Sequence, residues 1–261
     1  MRKVFFLFLF LFLSFCETSC EKSNSLFPHS SVNQEVDQNL RKSYLVDKIY
    51  DGDDNLRAEY FYNSENNLVE IKTVNPNDNT LSSVRFKYKD GKVSNITYSA
   101  YSTEQDIIYN TDGKIEKVIY KNMTTNGLKS HEREFFYNKK GELQQYLGMN
   151  FTVDKYNNVI RNNYTVKSEI GPKHIEKQFE YDNNPRPNFS IDYLFIFEPL
   201  PYFGEEALIE KNYSWNNMVK MVNGTTWKYE YNRDGLPIKI NTIWSENKVA
   251  FSLKIVYKRV K

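Results

Sequence analysis

The sequence predicts an all-β protein whose antiparallel meander sheet rolls toward a barrel or folds as two facing layers. Three observations predict it: an aromatic content of 16%, led by 20 Tyr and 18 Phe; a turn motif that recurs along the chain; and apolar residues at every second position beside those turns. Aromatic and β-branched side chains cover a pleated, half-buried surface well, whereas Gly and Asn supply bends.

The motif is clearest in YNTDGKI from Tyr109, YNKKGEL from Tyr137 and YNRDGLP from Tyr231, and it returns as YDGDDNL from Tyr50, YNSENNL from Tyr62 and YDNNPRP from Tyr181. YKDGKV from Tyr88 is one residue shorter, and VDKYNNV from Val153 keeps the spacing without the Tyr. A hairpin corner accounts for the order: an aromatic strand end, an Asn or Asp to start the turn, a Gly or Asn that tolerates positive φ, and an apolar residue opening the return strand. The flanks alternate as strands do. Trp227, Tyr229 and Tyr231 form one such series, and Val249, Phe251, Leu253, Ile255 and Tyr257 another. The units are unevenly spaced, so the pattern is a meander with variable loops rather than a solenoid.

A sheet with one apolar face must curl or be covered, because burying each large aromatic is worth about 2–3 kcal/mol. Few helical patterns are available to cover it, so rolling is expected. Alternation does not say which face is interior. An outer-membrane barrel has the same period with its apolar side outward; the polar segment before the strands favours a soluble domain instead.

At the start, Arg2 and Lys3 precede the apolar run VFFLFLFLFLSF, which reads as an export signal too short for a permanent membrane span. The only two cysteines, Cys16 and Cys20, end this segment, so no disulfide is possible beyond them. The arrangement resembles a bacterial lipoprotein signal. Cys20, preceded by the small Ser19, is the expected lipid acceptor, although Glu17 is unusual there and Leu13 and Ser14 suit Cys16; ordinary signal-peptidase cleavage is the alternative. The expected layout is a signal peptide over 1–19, a flexible polar tether over 20–43 and the β domain over 44–261.

Chemistry-bearing residues are sparse. The net charge of +2 gives no reason to expect nucleic acid, and His29, His131 and His174 show no metal-ligand spacing. His131 beside Glu132 and Glu134 reads as a solvated strand edge rather than an acid/base group, and Glu205 with Glu206 lacks a second carboxylate placed across a substrate. DGDDN at Asp51 to Asn55 begins like a calcium loop, but Leu56 and Tyr62 stand where that loop needs Gly and Glu, so a turn is expected. The segment Ile191 to Trp215 interrupts the rhythm with Pro199, Pro201 and Gly204, and reads as an insertion or cap. Phe195 and Phe197 within it are candidate core plugs, whereas Tyr202, Phe203 and Trp215 are the candidate ligand-binding aromatics. Trp244 presents the same choice.

The YNxDGxI units resemble tyrosine-aspartate repeats. Together with the lipoprotein-like leader, FEYDNNPRP (Phe179 to Pro187) and WKYEYNRDGLPIKI (Trp227 to Ile240) resemble a family of Bacteroidota lipoproteins of unknown function with a porin-like fold, over about residues 44–261. That resemblance implies a fold and an address at the outer membrane, and it brings no catalytic residues. The functional expectation is a lipid-anchored envelope domain, neither an enzyme nor dependent on a cofactor, that binds an extracellular ligand such as a glycan. The alternative is a structural envelope protein whose sheet edges or loops dock other proteins.

Overall fold

The computed structural model describes residues 41–75, 78–99, 103–124, 127–168, 171–191, 208–222, 224–244 and 249–260. The strands are β1 (Tyr44–Asp51), β2 (Leu56–Tyr62), β3 (Leu68–Val74), β4 (Leu81–Lys89), β5 (Lys92–Tyr98), β6 (Thr103–Tyr109), β7 (Ile115–Thr124) and β8 (Gly127–Tyr137). They continue as β9 (Leu143–Tyr146), β10 (Met149–Val153), β11 (Val159–Ser168), β12 (Gly171–Pro185), β13 (Asn216–Met221), β14 (Thr226–Tyr231), β15 (Pro237–Ile243) and β16 (Val249–Arg259). A six-residue helix, α1 (Leu208–Tyr213), lies between β12 and β13. Each strand pairs antiparallel with its sequence neighbours, and β1 pairs with β16 to close a barrel. The sheet therefore closes, which pairs the two terminal strands that an open meander would leave as edges.

The corners share one geometry. In Asn63–Asn67, Asn110–Lys114, Asn138–Glu142, Asp154–Asn158 and Asn232–Leu236, the first residue's N–H donates to the fifth residue's carbonyl at 2.9 Å, and the fourth residue's N–H returns to the first residue's carbonyl. The first residue's side-chain oxygen also accepts from the fifth N–H in each of them. That doubles the restraint and explains the Asn or Asp. The fourth residue has positive φ whether it is Asn66, Gly113, Gly141, Asn157 or Gly235, which explains the second half of the motif. The shorter unit at Tyr88 turns on Asp90 and Gly91 alone, both at positive φ, as a two-residue hairpin requires. Asp51–Asn55 is the same five-residue turn, its carboxylate engaged by Asn55 and Arg57.

All these corners except Asp51–Asn55 join an even-numbered strand to the next odd one, so they gather at one end of the barrel, where β1 also begins. There the tyrosines acquire a role. Tyr62, Tyr88, Tyr109, Tyr137, Tyr181, Tyr229 and Tyr257 each donate a hydroxyl hydrogen bond of 2.7–2.9 Å to a carbonyl near the start of the preceding strand: Val46, Leu68, Val93, Ile115, Val159, Met218 and Pro237 respectively. Every even-numbered strand carries one except β10, where Val153 stands in the Tyr position. The neighbouring strand start is met from α1 instead, since the Leu143 N–H donates to the Tyr213 hydroxyl at 2.9 Å. Tyr62→Phe is expected to cost about 1 kcal/mol by orphaning one such carbonyl. Tyr60→Phe, which removes a buried hydroxyl that has no hydrogen-bond partner among the described residues, is expected to be neutral or stabilising; urea denaturation of the two variants gives the comparison.

The two faces of the sheet differ sharply. Val46, Ile49, Ala58, Leu68, Ile71, Ile96 and Val118 are fully buried inside with Tyr60, Phe135, Tyr146, Phe179 and Trp227. Outside, cross-strand ion pairs run around the wall, among them Lys48–Glu59 at 3.1 Å, Arg85–Glu70 and Lys117–Glu132 at 2.9 Å, Lys220–Glu180 at 3.0 Å and Lys239–Glu230 at 2.8 Å. This is the reverse of a lipid-facing barrel, whose outer band is apolar and whose lumen is polar. Sixteen strands also exceed what wall side chains fill alone, and barrels of that size commonly leave an aqueous channel. Here the connection from β12 to β13 supplies further filling.

Candidate functional site

On leaving β12 at Pro185, the chain crosses the interior at the tyrosine end and reaches β1, where Asn188 bonds to Arg41 and Tyr44 carbonyls at 3.1 Å and the Val46 N–H donates to the Asn188 carbonyl at 2.9 Å. This crossing places Phe189 5.2 Å from Tyr60, both rings fully buried. Ile191 is buried beyond it. Residues 186–191, which lead into the insertion, thus plug this end of the barrel; of the insertion itself, Ile191 and residues 208–215 are described. Phe195, Phe197, Tyr202, Phe203, Glu205 and Glu206 lie outside the described residues, as do Cys16 and Cys20.

The return half brings polar side chains inside. Glu210 is buried and accepts from the Asn162 amide of β11, and burial raises its carboxyl above the usual range. Lys211, next in the chain, points instead to β14, its ammonium 4.2 Å from the Trp227 ring centroid, and burial lowers it to about 7. Ser214 accepts from the Val159 N–H at 2.9 Å, tying the end of α1 to the wall. Asn212 is fully buried, and among the described residues neither of its amide atoms has a hydrogen-bond partner. Arg186, Pro187, Phe189, Lys211, Asn217 and Met218 line a cavity of about 10 Å³, the space of a single water. Such a space admits no substrate. Glu210 and Lys211 are directed to different strands, so they do not converge as an acid/base pair.

At the rim, Asp182 accepts from the Tyr231 hydroxyl and, at 2.9 Å, from the Asn184 N–H. Burial pushes its carboxyl up to about 6, outweighing the hydrogen bonds that favour the anion. A carboxyl made a weaker acid by folding stabilises the fold while protonated: the contribution is whole below about pH 4 and is lost as pH rises through about 6. The Asp182→Asn variant should therefore gain stability relative to the wild type between those pH values, reaching about 3 kcal/mol, with no further change above. Parallel denaturation profiles across pH 4–7 would contradict this assignment.

Trp215 is half-buried, with the Arg41 guanidinium 5.4 Å from its ring centroid and its carbonyl accepting from the Arg186 N–H at 3.1 Å. It sits at the plug's return to the wall, and part of it meets solvent. Trp244 is 62% exposed at the far end of β15, away from Trp215. His131 stacks on Tyr120 at 4.8 Å on the inner face of β8, whereas Glu132 faces outward to Lys117, so this trio does not assemble. Among the described residues no group of three His, Cys, Asp or Glu side chains is placed to hold a metal. Glu210, Lys211 and Asp182 have no signature in the sequence, because one turn of helix carries no periodic signal and nothing local marks these charges as buried.

The described residues define a closed antiparallel barrel with an apolar interior. Comparison of this chain with solved structures finds a porin-like protein from Bacteroides uniformis ATCC 8492, 16% identical, covering 83% of this chain and 97% of that one with a TM-score of 0.47. A porin-like protein from Bacteroides vulgatus ATCC 8482 is 12% identical, covering 81% and 98% with a TM-score of 0.40. The Photorhabdus luminescens Tc holotoxin pore matches over 79% of this chain but 14% of its own, at 12% identity and a TM-score of 0.29. No family model and no curated protein matches the sequence.

Proposed function

We propose that this protein is a lipid-anchored β-barrel of the bacterial cell envelope, held at the outer membrane by Cys20 and working by recognition rather than catalysis. The observation that carries this reading is the polarity of the wall, with apolar side chains inside and ion pairs outside. A barrel dressed this way keeps its wall in water, and among the described residues apolar side chains occupy its interior. Attachment to the membrane then falls to the leader, where the cysteine after Ser19 is suited to carry lipid. Incorporation of radiolabelled fatty acid into the wild-type chain and into Cys20→Ala tests it: the variant should lose the label, and equal labelling would reject Cys20 as the acceptor.

The ligand in this reading is an extracellular glycan stacked on Trp215, with Tyr202 and Phe203 contributing from the same insertion. Its support is the partial exposure of Trp215 beside Arg41 at the plugged end. Binding on a glycan array that Trp215→Ala abolishes is the expected result; an unchanged array would remove the glycan. A second reading, docking of other proteins, is favoured by one observation, the lengths of unpaired strand in β8 and β11 at the opposite end.

A further inference from the structure

The barrel wall has a notch. β7 and β8 pair from Lys117 and Glu134 up to Thr124 and Gly127, and β11 and β12 from Arg161 and Gln178 up to Ser168 and Gly171, but the hairpin between them, β9 and β10, is only four and five residues long. β8 therefore meets β9 only at Phe135, Phe136 and Tyr137, and β11 meets β10 only as far as Asn163. Among the described residues no strand lies beside Leu128–Glu132 on one side of the notch or Thr165–Ser168 on the other, and each stretch presents backbone donors and acceptors to the opening. β8 and β11 are three strand spacings apart at the floor, roughly 14 Å, which leaves room above for two strands.

The sides of this opening are chemically uneven. Registers with buried Val118 and Tyr120 place Arg133 and His131 on the inward face of β8, followed by Lys129. On the facing hairpin, the register with buried Asn162 puts Lys177 inward, followed by Lys173, with Tyr164 and Val166. Glu132 and Glu176 lie on the outward face, bound to Lys117 and Arg161. The floor is the β9–β10 turn, where Leu147 is 52% exposed and holds a φ of +51°. Asn would make that turn with less strain, so an exposed Leu there is poorly explained by folding alone.

We infer that the notch accepts a β-hairpin from another protein, inserted tip-first, which completes the wall by antiparallel pairing with β8 and β11. One arm descends beside β11 and the other climbs beside β8, so both new pairings continue the antiparallel order. The tip meets Leu147, and the inward side chains of the arms are acidic, opposite Lys129, Lys173 and Lys177. A second copy of this chain is a poor occupant, because its projecting hairpins carry the same inward cations and would repel. Backbone pairing supplies affinity and the alternate side chains supply selection, as in other strand-addition complexes. This inference deepens the docking reading and is independent of the glycan.

The test uses the full chain and a synthetic hairpin peptide closed by Asn-Gly, with Glu and Thr alternating along both arms. Hydrogen exchange of the free protein should show fast amides in Leu128–Glu132 and Thr165–Ser168, and the peptide should slow those facing the notch at least about 10-fold. Charge reversal by Lys129→Glu with Lys173→Glu, both exposed and outside the core, should weaken binding about 10-fold or more. The same peptide N-methylated at alternate backbone nitrogens should not bind. Slow exchange already present in the free chain, whether from its own residues or from self-association, overturns the inference, as does full binding of the N-methylated peptide, which would reduce the contact to charge attraction. Lipid labelling at Cys20 is read separately, so a chain that is unlipidated yet binds the hairpin loses only the anchor.

Discussion

Phe189→Ala is expected to destabilise the protein by about 3–5 kcal/mol, an effect of core size from a residue in a connection rather than a strand. Phe189 is fully buried, rests against the equally buried Tyr60, and is held by the backbone bond from Val46 to its neighbour Asn188. Truncation leaves a void among groups already fixed by the strand ladders, which relax little to fill it. A loss below about 1 kcal/mol would mean that the plug is a loose cap and that the wall is stable without it. Denaturant midpoints with an unchanged slope are the required measurement, since a change of slope would signal a different native or unfolded state.

The second large effect separates adjacent residues by face. Ile71→Glu places a charge where exposure is zero, opposite Tyr60 on one side and Val84 on the other, all three buried. With no cation paired to it across either strand, the expected loss exceeds about 4 kcal/mol. Glu70→Ala, one residue away, removes the outward pair with Arg85 and is expected to cost less than about 1 kcal/mol. Soluble yield and thermal unfolding distinguish the two, and comparable losses would contradict the assignment of faces.

Much of this architecture is legible in the residues, because each corner is specified locally. An Asn or Asp that bonds two amides and a residue at positive φ act within five positions, so YNTDGKI reports its own conformation. The tyrosine is different. Its position is visible, but its hydroxyl partner lies on the preceding strand, 16 residues back for Tyr109 and 22 for Tyr137, and no local spacing reveals that bond. The same limit hides how the Tyr-less unit at Val153 is served by Tyr213 of α1. Alternation gives two faces to each strand and leaves their sense open; closure of the sheet with Ile71 inside and Lys72 outside decides it. The insertion is legible by its prolines as a break in the rhythm. Its buried Glu210 and Lys211 are not, since their environment is assembled from β11 and β14.

Accessibility of single cysteines along β3 tests the polarity of the wall most directly. Glu70→Cys and Lys72→Cys should react with a charged, membrane-impermeant thiol reagent in buffer without detergent, whereas Leu68→Cys and Ile71→Cys should react only after unfolding, each measured above the background of Cys16 and Cys20. Reaction at Leu68 and Ile71 in the folded protein, or reaction at 70 and 72 only once detergent is added, would mean that the apolar face points outward and that the barrel sits within a bilayer.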